Sequence, residues 1–248
     1  GEARELLAEM DRGLAEIDPS DARNLAFAAF TRAQMAAAFV IETEDWDSAD
    51  DIARETRPAP KDAQSASGDV NPFAAFAVVT EIPLIFARGL AQAAAGSPEA
   101  RESAGRLRSI RESSDVREPF VAAIIRGTEI QELEIEGLAS ASEGDLDDAI
   151  RVLRKASAIE AAFPPPPGPP PLLKPSHELL GELLLRARRP QEAAKEFEVS
   201  LLRHKARARS LLGLARTGDK DASSGFLEQW SRADTSLPEL SEARKHTR

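Results

Sequence analysis

The sequence predicts an all-α fold, with antiparallel helix pairs stacked side by side as an α-α solenoid in one domain over 1–248. Three observations carry that expectation. Hydrophobic residues make up 42% of the chain, mostly Ala and Leu, while aromatics are 5% and tyrosine is absent. Ala and Leu are strong helix formers, whereas strands draw on β-branched and aromatic residues. Helix start and stop signals recur at short intervals. The C-terminal half also repeats one spacing of small and large residues.

Taken in order, EARELLAEMDRGLAEI places Leu6, Leu7, Met10, Leu14 and Ile17 on one helical face. Asp18-Pro19 stops it, and Ser20 or Asp21 can cap the next helix. That helix, about 23–42, is apolar on nearly all sides, as befits a helix packed between neighbours. A short helical partner, DSADDIARET, follows, and then a polar loop over 57–70. The stretch 72–95 is apolar, with Pro83 as a kink or break. Gly96-Ser97-Pro98 ends one helix and opens another, with Ser97 as cap and Pro98 in the first turn.

In the second half, Gly137 is followed by Ala149 twelve residues on, Leu153 four further and Ala156 three further. Gly181 is followed at identical offsets by Ala193, Phe197 and Ser200. A third copy runs Gly213, Ala222, Phe226 with a shorter turn. A glycine at a helix crossing lets two backbones approach, and a large residue one turn along fills the gap beside them.

These residues resemble the tetratricopeptide repeat, W-x2-L-G-x2-Y then A-x3-F then P over about 34 residues. In HELLGELL followed by AAKEF, His177 stands where the family has Trp; Leu180, Gly181, Ala193 and Phe197 match; Leu184 and Lys205 replace Tyr and Pro. Around Gly137 only the glycine and Ala149 are kept, while around Gly213 Leu212, Ala222 and Phe226 are kept as well. The resemblance implies a right-handed superhelix with repeats at 119–163, 172–205 and 206–235, degenerate hairpins over 1–118 and a capping helix at 236–248. Ala37 with Ala49, and Gly89 with Ala100 and Ala104, are the candidate degenerate repeats. The run KPSHELLGELLLRARRPQEAAKEFEVSLLR with LLGLARTGD is similar to the C-terminal half of long bacterial proteins of this family that have no assigned function. Many of those carry a signal peptide, which implies a periplasmic or envelope location for a longer chain of which this is a fragment, with the cytoplasm as the alternative.

One segment interrupts the pattern. Residues 164–171 read PPPPGPPP and lengthen the interval from Gly137 to Gly181. They fall between one repeat and the next, where a polyproline segment can span a gap without internal hydrogen bonds. This is read as an insertion inside a continuous array, with a docking site for proline-recognising domains as the rival reading.

Chemistry is sparse. A net charge of −10 repels a phosphate backbone, so nucleic acid is an unexpected partner. The densest basic stretch, RHKARAR from Arg203, reads as cations near a helix end. The absence of cysteine excludes disulfides and thiolate catalysis, and no uninterrupted apolar run reaches membrane-spanning length, so no insertion is expected. His177 opens HELLG, but the second imidazole that a zinc helix requires is replaced by Gly181, so no metal is expected. Asp50-Asp51 and Asp147-Asp148 sit at expected helix starts and favour the helix dipole. No catalytic residue and no cofactor is expected. The resemblance implies instead a concave groove lined by the first helix of each pair: Gln131 and Glu134, then Glu178, Glu182 and Arg186, then Arg207 and Ser210. The function expected is a non-enzymatic scaffold that binds a protein or peptide, with a helical accessory domain of an enzyme or a small-molecule-binding solenoid as alternatives.

Overall fold

The computed structural model describes residues 2–18, 20–51, 76–163, 173–233, 235 and 237–246, without the side chains of 22, 23 and 246. Among these residues the chain is all-helical: α1 (Glu2–Glu16), α2 (Ala22–Thr43), a 3-10 turn (Trp46–Ser48), α3 (Phe76–Val79), α4 (Ile82–Ala94), α5 (Glu99–Ser113), α6 (Pro119–Ser142), α7 (Leu146–Ala162), α8 (Ser176–Arg186), α9 (Pro190–Arg203), α10 (Ala208–Arg216), α11 (Lys220–Gln229) and α12 (Pro238–His246). The helices gather into two compact units, 1–142 and 143–248. The loop expected at 57–70, the end of the expected partner helix at 52–56 and the insertion at 164–171 lie outside the described residues.

In the first unit α1 packs on α2, α2 on α4, α4 on α5 and α6, and α5 on α6. Asp21, rather than Ser20, caps α2 by accepting from Asn24 N–H at 3.2 Å. Arg32 is fully buried and forks onto Asp11, Nε to Oδ1 at 2.8 Å and Nη2 to Oδ2 at 2.9 Å, pinning α1 to α2. Pro83 breaks the apolar stretch rather than kinking it, standing in the first turn of α4, where its missing N–H leaves no helix bond unmade. Gly89 marks a close approach: a Cβ there would lie 2.4 Å from Ile135 Cδ1 on α6 and 3.1 Å from Ser103 Cβ on α5. Two windows, Asn24–Thr43 and Phe76–Ala94, reach membrane-spanning length and hydropathy, which qualifies the expectation from uninterrupted runs. They are 56% and 61% buried inside the fold, as core helices rich in Ala should be.

In the second unit each helix from α7 to α11 packs on its successor, and α8 with α10 and α10 with α12 also touch. Phe197 of α9 is fully buried, with its ring against two glycines. A Cβ on Gly181 (α8) would lie 2.8 Å from that ring, and one on Gly213 (α10) 2.3 Å. One aromatic therefore serves the crossing within its own pair and the crossing with the next. Ala149, Leu153, Ala156, Ala193, Ser200, Ala222 and Phe226, the positions singled out by the repeated spacing, are all buried.

The turns repeat as well. Gly96, Gly144, Arg188 and Gly218 have φ of 69°, 95°, 57° and 107° in the turns that follow α4, α6, α8 and α10. Gly89, Gly137 and Gly181 precede the first three by the same interval. Asp145 and Asp219 then cap the following helices through Asp148 N–H at 2.9 Å and Ala222 N–H at 2.8 Å. Arg189 stands at the equivalent place without a capping bond.

Candidate functional site

The expected groove residues divide into two sets. On α6, Glu134 is fully buried and Gln131 is 4% exposed, so neither presents an open surface. In the second unit Glu178, Glu182, Arg207 and Ser210 converge, and Arg186 is exposed at the end of α8. Their meeting point is the polar junction of α8, α9 and α10.

Glu178 is its centre. Its side chain is fully buried in the first turn of α8, where a carboxylate meets the positive end of the helix dipole. Arg207, which begins α10, donates Nε to Oε2 at 2.7 Å and Nη2 to Oε1 at 3.0 Å. Ser210 Oγ donates to Oε2 at 2.6 Å and shares a 2.9 Å hydrogen bond with Ser200 Oγ of α9. Lys174 Nζ lies 3.0 Å from Glu178 Oε1 and 2.7 Å from Glu182 Oε1. Two carboxylates thus meet two cations. Burial pushes the Glu178 pKa up, but Lys174, Arg207 and Ser210 outweigh it and hold the group down at about 2. Burial likewise pulls Lys174 down, and Glu178 and Glu182 together leave it raised.

A second cluster closes the α7–α8 junction. Glu160 accepts from Ser176 N–H at 2.6 Å, and His204 Nε2 lies 3.4 Å from its other oxygen. Burial pushes Glu160 up, and these hydrogen bonds outweigh it, leaving the group lowered. Arg203 donates to the Glu160 and Phe163 carbonyls at 3.1 and 3.0 Å, while Arg207 donates to the Leu173 carbonyl at 3.3 Å. The flanks of the proline-rich run are therefore held by two arginines of the α9–α10 connection. His177 Nδ1 bonds Glu196 Oε2 at 2.7 Å, with its buried Nε2 making no hydrogen bond. Among the described residues no three His, Asp or Glu converge to hold a metal ion.

Sequence reasoning missed Lys174, Glu160, the hydrogen-bonding role of Ser200 and the inward role of the RHKARAR stretch. Lys174, Glu178 and Glu182 do share one helical row in the sequence, a signal for the first. Nothing local signals that Arg203 and Arg207 turn back onto carbonyls of residues far earlier in the chain. No protein-family model, no curated protein and no solved structure matches this chain. Among the described residues the junction pairs its charged groups with one another, and the rim carries Glu182, partly open, and Arg186, exposed.

Proposed function

We propose that the chain is a non-enzymatic helical-repeat scaffold of tetratricopeptide type that binds a protein or peptide segment. The observation that carries this is the reuse of one hairpin design: a glycine at the crossing, a left-handed turn residue, then a buried small residue and a buried large one. Repeated hairpins of this kind cannot each close a core alone, so they stack and generate an extended surface. In the second unit α8, α10 and α12 form one layer of such a stack, supporting the reading of a superhelix with first helices on one side. Peptides are the natural ligands of such layers, because a row of helix faces matches an extended or helical segment better than a small molecule.

The groove is now narrowed to its accessible members, Glu182 and Arg186, on a floor stiffened by the buried Glu178 network. The test is affinity capture from the source cell with the longest native chain, beside a Glu182→Lys/Arg186→Glu variant. A groove ligand is lost or exchanged in the variant. Recovery of the same partners in the same amounts by both baits overturns the assignment.

A further inference from the structure

The two helix ends beside the proline-rich run take their caps from elsewhere in the second unit. Asp21, Asp145 and Asp219 each cap their own helix through an N–H three residues on. α8 opens instead at Pro175, which makes no capping bond. Its first N–H, on Ser176, donates at 2.6 Å to Glu160 Oε2, a buried carboxylate in the last turn of α7. The end of α7 is closed in the same way from α9. Arg203 Nη2 donates to the Glu160 and Phe163 carbonyls at 3.1 and 3.0 Å, bringing a cation to the negative end of the helix dipole. Arg207 Nη2 reaches the Leu173 carbonyl at 3.3 Å, and Arg154 Nη2 of α7 joins Glu192 of α9 at 2.9 Å.

We propose that these bonds form a clasp that makes the connection across 164–171 dispensable, so that α7 stays docked on α8 and α9 after the chain is cut there. The clasp joins residues from both sides of the run, Glu160 to Ser176 over 16 positions and Arg203 to Phe163 over 40. None of its members belongs to the run. A helix end capped by its own flanking residues loses the cap when that flank moves, whereas one capped from a neighbouring helix keeps it. The Glu160 carboxylate and the Arg203 guanidinium are charged, and charge-assisted hydrogen bonds contribute more than neutral ones. His204 Nε2 lies 3.4 Å from Glu160 Oε1 with its side chain 8% exposed, which limits the access of water to the carboxylate. The consequence is a place where the array can be nicked or lengthened without coming apart. The clasp is independent of the groove ligand, so either proposal can fail without the other.

The test replaces residues 165–170 of the full chain with a protease recognition sequence between Gly-Ser spacers. After cutting, the two pieces should elute together on size exclusion with unchanged helical circular dichroism. Pieces that separate overturn the proposal. So does a site that resists the protease in the native chain but is cut in urea, because packing of the connection itself would then be protecting it. Glu160→Gln/Arg203→Gln should leave the uncut chain helical. Once cut, that variant should come apart on dilution at a concentration at least roughly tenfold higher than the cut chain without the substitutions, as the loss of charge-assisted bonds implies. Equal dilution curves assign the docking to helix packing alone and refute the clasp. Should the uncut variant lose its helical signal, amide exchange on the native chain decides. The Ser176 amide should then be protected at least roughly tenfold more than the Ala208 amide, which opens α10 without a side-chain cap, and equal protection counts against the clasp.

Discussion

Gly213→Ala is the sharpest test of how the repeats are held together. The new methyl would sit 2.3 Å from two ring carbons of Phe197, well inside the ~3.5 Å of ordinary carbon contact. The ring is fully buried and the same ring carbons also lie against Gly181, at 2.8 Å by the same measure, so it has little room to retreat. Overpacking of this kind costs about 1–3 kcal/mol, while alanine in place of glycine inside a helix gains about 1 kcal/mol. Sterics should win, for a net loss of about 1–2 kcal/mol. Gly181→Ala overlaps less and should come within about 1 kcal/mol of neutral. The double substitution should exceed the sum by about 1 kcal/mol, because both new methyls press on the same ring carbons. In a Phe197→Leu background, Gly213→Ala should turn neutral or stabilising. Urea unfolding of a Trp46→Phe protein isolates the second unit, since Trp230 is then the only tryptophan. An unfolding midpoint that rises for Gly213→Ala in the Phe197 background would refute the reasoning.

Three further outcomes are expected. Arg188 holds φ of 57° where the sister turns carry glycine, so Arg188→Gly should stabilise the second unit by about 1 kcal/mol, and a lowered midpoint counts against the shared turn design. Glu178 has a folded pKa of about 2 against 4.5 for the free group, so its contribution, on the order of 3 kcal/mol, is complete above about pH 4.5 and is lost as pH falls from there towards about 2. Glu178→Gln should lower stability at neutral pH and flatten that acid limb, and an unchanged limb would place the loss elsewhere. Asp11→Ala removes both forked bonds from a fully buried Arg32 and should cost about 2–3 kcal/mol, read from Trp46 fluorescence in a Trp230→Phe protein; a loss below about 0.5 kcal/mol contradicts the pinning of α1 to α2.

Helix content, several turn positions and the buried residues at the repeated spacing were legible in the sequence, because each depends on local chemistry or on a fixed period, whereas Leu6 on the expected apolar face of α1 is exposed. Ala and Leu favour helix wherever they lie, Asp21, Asp145 and Asp219 cap through bonds to residues only three away, and the interval from Gly181 to Phe197 is a property of one hairpin. Tertiary structure decided which polar groups face water. Glu178, Ser210 and Arg207 carry the residue types of an open groove, yet they close on one another and on Lys174 across three helices. Phe197 serves two glycines rather than one because α10 follows α9 closely enough to share its ring, a fact of stacking that no single hairpin contains. A carboxylate and a guanidinium read the same in a sequence whether they meet each other or a ligand. Only the distance between them decides, and that distance is set by helices packed far apart along the chain.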